Sequence, residues 1–314
     1  MGQQWAPAAS GGYLANPSLS AKVRTIGQPM TRFRQFVRKE PGFGKGKSDT
    51  LLFDRISNVV VGGGAITELQ SMPEDNYVIS QGSLIVTEYG NSVPWTGKLE
   101  NLAALDVNSI TTKALKNDMV KALDRACGAL FRAAPLSYIP TGTSGTPTAT
   151  FQATVATAAT RDVQTFDVRR VVDRLKKSFV QPYDGENYIC ICSIDFAGKI
   201  KEDTAGAGWV EAAKFGDPDR LFAGEIGRYY GCRFIEESNL LSNTLGTGAF
   251  SGEAVFFGED PVVEGVVVPE ELRAKIPTDY GRDMGLAWYF LGGWAATYTT
   301  NVVGELKAIR IWST

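Results

Sequence analysis

The residues of this 314-residue chain that could do chemistry are carboxylates, lysines, hydroxyls and four cysteines, because the sequence contains no histidine. Imidazole is the one side chain whose ordinary pKa lets it exchange protons freely near neutral pH. Its absence removes serine–histidine and cysteine–histidine nucleophilic chemistry, and with it every histidine-ligated zinc or iron site. The candidate acid pairs are Glu236–Glu237, Glu259–Asp260, Glu270–Glu271 and Asp217 with Asp219. Adjacent carboxylates diverge on helices and alternate faces on strands. Asp217-Pro218-Asp219 continues with Leu221, where a calcium loop needs another oxygen. All four pairs read as solvated turns. Gly142-Thr143-Ser144-Gly145 does not have the spacing of a nucleophile elbow, and no GxxxxGK(S/T) phosphate loop occurs. Val59-Val60-Val61-Gly62-Gly63-Gly64 fails as a dinucleotide loop because Thr67 stands where the third glycine belongs. The sequence therefore predicts no catalytic, cofactor-binding or metal site.

The cysteines Cys127, Cys190, Cys192 and Cys232 form no CxxC pair. Cys190 and Cys192 lie two apart in a strand-like run, with Cα atoms roughly 6.5 Å apart, near the upper limit for a disulfide. They read as buried free thiols, suited to folding in a reducing cytoplasm.

A hydrophobic content of 44% over this length supports one elaborate domain or two modest ones. A net charge of -2 lacks the basic balance of a dedicated nucleic-acid binder, so any DNA contact should be weak and local. No signal-peptide pattern opens the chain. The apolar stretch Met284 to Tyr298 is too short to span a bilayer and is interrupted by Gly292-Gly293. Met1-Gly2 lacks the hydroxyl residue that myristoylation needs, since Ala6 is the sixth residue. No membrane partner is expected.

The elements that would position any site follow from periodicity. Met1 to Lys47 has neither helical nor strand period and carries Lys22, Arg24, Arg32, Arg34, Arg38, Lys39, Lys45 and Lys47, so it is a basic arm. Trp5, Tyr13, Phe33, Phe36 and Val37 imply that the arm packs against something. Leu51 to Val61 and Tyr77 to Val93 read as a long β-hairpin reaching roughly 33 Å, marginal on its own in water and therefore held by a neighbour. Asp106 to Ala134 is the strongest helix, with Leu115, Met119, Leu123, Ala126 and Leu130 on one face and Lys113, Lys116, Lys121, Asp124 and Arg125 on the other. Beyond a Thr- and Gly-rich connector, Thr165 is expected to cap a second helix carrying Val168, Val171, Val172, Leu175 and Phe179. Strands are expected at Tyr188 to Ser193, Cys232 to Glu236, Ala254 to Phe257 and within Leu286 to Ile311, with a short helix after Asp195. The fold class is α+β.

This order of arm, projecting hairpin, long helix, mixed domain and return strands resembles the shell fold of tailed-phage and herpesvirus capsids. At residue level it is similar to a phage major capsid family through Glu88-Tyr89-Gly90-Asn91, Ala122-Leu123-Asp124, and Phe222-Ala223-Gly224-Glu225-Ile226-Gly227-Arg228 followed by Cys232-Arg233-Phe234-Ile235-Glu236. The resemblance implies an N-terminal arm at 1–48, an extended loop at 49–104, a peripheral domain with a spine helix at 105–160 and 258–314, and an axial domain at 161–257. It implies a non-enzymatic subunit that assembles with itself into pentamers and hexamers around double-stranded DNA, in a virion built in the bacterial cytoplasm. Portal, scaffold and cement proteins would be further partners, and contact with the packaged DNA would be non-specific. A nanocompartment shell protein of the same fold, enclosing protein cargo, is the alternative. Some members weld their shells through a loop lysine, but residues 50 to 97 contain no lysine, which implies a non-covalent shell. Arg32, Arg34 and Arg38 of the arm and Glu68, Glu74, Asp75 and Glu88 of the loop are the candidate inter-subunit contacts.

Overall fold

The structure, a computed structural model, describes residues 27–40, 43–56, 64–72, 74, 76–103, 106–203, 227–278, 280 and 282–313. Expectations for Trp5, Tyr13, Asp75, Phe222 to Ile226, and Asp217 with Asp219 lie outside them. In chain order the elements are β1 (Arg38–Lys39), β2 (Thr50–Ile56), β3 (Ile79–Ile85), β4 (Thr87–Thr96), α1 (Gly97–Leu102), α2 (Val107–Arg132), β5 (Leu136–Gly142), β6 (Pro147–Gln152), α3 (Thr165–Lys177), β7 (Tyr188–Cys192), α4 (Ile194–Glu202), β8 (Arg228–Tyr229), β9 (Cys232–Glu236), β10 (Thr244–Leu245), β11 (Phe250–Ser251), β12 (Ala254–Phe257), β13 (Val262–Ala274), β14 (Asp283–Ala296) and β15 (Ala308–Ile311).

Two sheets carry the body. A seven-stranded sheet runs β6-β5-β15-β12-β7-β9-β8, and a four-stranded sheet runs β1-β13-β14-β4. Successive side chains of a strand face opposite ways, so β7 feeds two cores. Tyr188, Cys190 and Cys192 face α3 and α4 with Val168, Val171, Leu175 and Phe196. Ile189 and Ile191 face α2 with Leu123, Cys127 and Phe131. All four cysteines are buried free thiols, and burial together with the neighbouring thiols of Cys192 and Cys232 pushes Cys190 well above its ordinary pKa.

The long helix forms almost as periodicity predicts. Asp106 caps it by accepting from the Asn108 N–H at 3.1 Å, and it ends at Arg132 before Pro135. Asp124, expected on the solvated face, is instead buried at 3% exposure. The hairpin is also corrected. β2 and β3 pair antiparallel from Thr50↔Ile85 to Ile56↔Ile79, and the Val86 N–H closes the ribbon on the Asp49 carbonyl. The chain then leaves the ribbon, and β4 pairs along β14 from Thr87↔Gly292 to Thr96↔Asp283. One apolar run therefore serves two sheets.

At α3 the N-cap is Gln164, whose N–H donates to Asp167 Oδ2 at 2.8 Å. Thr165 is the first helical residue, and its N–H and hydroxyl both donate to Asp203. Phe179 lies past the helix end at φ 59 and is 71% exposed, so it is not a core residue. β13 has no counterpart in the expected strands. Its Gly265 and Pro269 interrupt the apolar alternation, yet it pairs with β14 across most of its length, with register shifts between Val266 and Glu271.

Candidate functional site

The arm is anchored by its own chain. Phe33–Phe36 forms a 3-10 turn whose Phe33 is fully buried, with its ring 5.4 Å from that of Phe131 on α2. The Arg34 N–H donates to Asp124 Oδ1 at 3.2 Å, so the carboxylate buried on α2 accepts from the backbone of the arm. Burial pushes the Asp124 carboxyl upward against the hydrogen bonds from the arm and Asn239.

The Arg34 guanidinium donates through Nε to Glu264 Oε1 at 2.8 Å and pairs with Glu270, both on β13. It sits 5.2 Å from the centroid of the Phe290 ring and 5.9 Å from that of Trp294 on β14. Burial works against ionisation of Glu270, yet hydrogen bonds from its own N–H and from Arg34 hold it below the ordinary carboxylate value. Arg38 pairs with Asp260 at 3.2 Å, and β1 adds a short parallel strand to β13.

These contacts revise the reading of the acid pairs as solvated turns. Glu270 and Glu271 belong to a strand, and Asp260 holds the arm. Glu237 is fully buried and accepts from the backbone N–H groups of Asn239, Leu240 and Leu241, while burial raises its pKa. It pins the segment that follows β9. Among the described residues no cluster of three or more Cys, Asp or Glu could hold a metal.

Of the candidate contact residues, Arg34 and Arg38 are engaged within the chain, and Arg32 is half-buried beside them. Glu68 and Glu74 stand exposed beyond the ribbon, and Glu88 accepts from the Tyr289 hydroxyl at 3.2 Å. Among the described residues no ion pair joins these arm arginines to these loop carboxylates. The exposed stretch of the ribbon is apolar as well as acidic, with Leu69 at 101% and Met72 at 74% exposure.

A second buried polar group fixes the β5–β6 hairpin to α3. Arg161 donates to both oxygens of Asp167, at 2.7 and 2.6 Å, and Tyr138 donates to the same carboxylate at 2.5 Å. Burial and the adjacent Asp167 charge raise the Tyr138 phenol. Three further bonds from Arg161 to the carbonyls of Thr141, Thr148 and Asp162 satisfy its remaining donors, as a structural ion pair requires. Sequence reading missed this group because its members look like ordinary helix-start and connector residues.

No protein-family profile matches this chain, and no curated protein sequence does. Solved structures do. The capsid of Helicobacter pylori bacteriophage KHP30 aligns over 97% of this chain and 96% of its own with a TM-score of 0.72 and 12% identity. The capsid of Ralstonia phage GP4 aligns over 98% of both chains, at 0.65 and 15%. The capsid of cyanophage P-SCSP1u aligns over 96% of this chain and 94% of its own, at 0.66 and 12%. Among the described residues no helix is long and apolar enough to cross a membrane. The likeness covers nearly the whole chain in both directions, and the protein has the shell fold of tailed-phage capsids.

Proposed function

We propose that this chain is a major capsid protein, which assembles with copies of itself into the pentamers and hexamers of an icosahedral head around double-stranded DNA. The observation that carries the reading is the match to phage capsid chains over 97–98% of this chain and 96–98% of theirs. The exposed apolar ribbon supports it, because a two-stranded ribbon of seven residues per strand is marginal alone and is completed by a neighbour. The matched capsids favour a virion over a nanocompartment enclosing protein cargo. The role is structural, and assembly would take place in the bacterial cytoplasm with portal, scaffold and cement proteins as further partners. The division into arm, extended loop, peripheral and axial regions belongs to the same proposal. The seven-stranded sheet draws β5, β6 and β15 from the ranges 105–160 and 258–314 and β7, β8, β9 and β12 from 161–257.

Electron microscopy of the chain expressed with its neighbouring genes tests this directly. Closed heads filled with DNA are expected. Small shells filled with protein would transfer the chain to the nanocompartment class, and a lasting monomer would remove the shell reading.

A further inference from the structure

The ribbon of β2 and β3 leaves a cleft of about 520 Å³ between itself and the end of α2, within the roughly 300–1,000 Å³ typical of ligand sites. Arg55 lines it from the ribbon, Phe131 and Pro135 from the end of α2, and Trp294, Tyr298 and Lys307 are further lining residues.

Two positive charges meet here and no negative one. Arg55 and Lys307, both half-buried, are the charged lining residues, and no carboxylate lines the cleft. Neither forms an ion pair among the described residues, whereas Arg34, Arg132 and Arg161, likewise withdrawn from solvent, each meet a carboxylate. Tyr298 gathers the two charges, with the Arg55 guanidinium 5.3 Å and the Lys307 ammonium 6.0 Å from its ring centroid. The guanidinium is fixed in place. It lies 5.1 Å from the Phe53 ring centroid and donates through Nη2 to the Ala296 carbonyl at 3.2 Å. Gly82 gives it passage across β3, because a Cβ there would collide with Nη2. Held in this way, Arg55 Nε has no acceptor among the described residues, and neither has Nε1 of Trp294, which is nine-tenths buried. A buried donor left unmet is destabilising, and like charges gathered on one ring repel each other. The fold maintains an arrangement that an added anion relieves.

We propose that the cleft is a binding site for a small phosphomonoester, with its dianionic head between Arg55 and Lys307 and its organic body against Phe131, Pro135 and Val262. Charge selects the head. A phosphomonoester carries about −1.5 to −2 at neutral pH, which neutralises both cations, and its oxygens match the planar donor fork of an arginine. A carboxylate or a phosphodiester brings a single charge to the pair. Size and polarity select the body, because the cleft is far larger than a bare phosphate and its wall at the end of α2 is apolar. Arg55 belongs to β2 and Lys307 directly precedes β15, so an occupant ties the ribbon to the body and fixes the angle at which it leaves. The site lies within one molecule and goes beyond the shell reading without depending on assembly.

The test is calorimetric titration of phenyl phosphate into the full-length chain before assembly. Saturable binding at one site per chain is expected. Lys307→Gln should weaken it about tenfold or more, the usual effect of losing a hydrogen bond to a charged group, and because Lys307 is outside the ribbon this variant leaves β2 intact. Lys307→Arg should restore most of the affinity. Inorganic phosphate, which lacks the body, and benzoate, which carries one charge, should each bind more weakly than phenyl phosphate. The indole N–H resonance of Trp294, identified as the one lost in Trp294→Phe, should shift on binding and so place the ligand in this cleft. A 5′-phosphorylated dinucleotide separates the sources of the ester: tighter binding than phenyl phosphate would assign the ligand to nucleic-acid ends, equal or weaker binding to free small esters, and either supports the site. Absence of saturable binding, affinity unchanged by Lys307→Gln, a Trp294 resonance that does not move, or displacement by duplex DNA without terminal phosphates as readily as by unlabelled ester would overturn the proposal. None of these outcomes bears on the shell reading, which the particles themselves decide.

Discussion

Arg34 joins the arm, the four-stranded sheet and an aromatic pair at one point, and its partner Glu264 has a fully buried side chain. Removing one member of a buried pair strands the other charge, at a cost of about 3–5 kcal/mol. Arg34→Met should therefore lower the urea-unfolding free energy by that order, and adding Glu264→Gln should recover a substantial part. The consequence for charge-reversal experiments is direct. Reversing Arg34 disturbs the fold before it reports on assembly, whereas Arg32, which forms no ion pair among the described residues, is the cleaner probe of an inter-subunit role. Asp124 supplies a pH test. Burial raises its folded pKa above the ordinary value of 3.8, so its ionisation penalty is absent below that value and grows as pH rises through the elevated one. Asp124→Asn does not ionise, and the parent should lose stability relative to it as pH rises above the ordinary carboxylate value of 3.8, measured by urea unfolding over a pH series. A pH-independent difference would contradict the assignment. The sequence hid both residues for the same reason. Each looks like a solvated charge locally, and their partners lie at 239, 264 and 270, where no periodic signal links them.

At the scale of elements, α2 was legible because its apolar spacing and its Asp106 and Pro135 boundaries agree, as local and global signals should. The arm's seat on it was not. Gly128 is the opening through which Phe33 reaches the helix, since a Cβ there would lie 2.6 Å from Phe33 Cδ2 and 2.7 Å from Leu240 Cδ2. Glycine to alanine within a helix is ordinarily worth up to about 1 kcal/mol in favour of alanine, while overpacking costs about 1–3 kcal/mol. Gly128→Ala should thus fail to stabilise the protein and should expose residues near Phe33 to limited proteolysis; a higher melting temperature with an intact arm would show that the seat has slack. β13 escaped sequence reading because its Pro269 and glutamates suggested turns. Its shifts of register between Val266 and Glu271 accommodate that segment within the ladder, and Glu264 is tolerated inside because the arm neutralises it.

For the whole molecule, the α+β class and the sequence of arm, ribbon, long helix and return strands could be read from the chain, because each depends on local pattern. The allocation of strands to sheets could not, because it depends on pairings between distant segments. The ribbon's lack of lysine between residues 50 and 97 bears on the assembled particle: boiling purified heads in denaturant should release single chains on a gel, and a ladder of linked chains would refute a non-covalent shell. The position of β15 carries a different consequence. Residues 308–311 lie between β5, to which they run parallel, and β12, to which they run antiparallel. Until those four residues have been synthesised and have cleared the ribosome, both neighbouring strands present bare inner edges and the larger sheet stays split in two. Joining of the larger sheet into one layer therefore waits on this single strand.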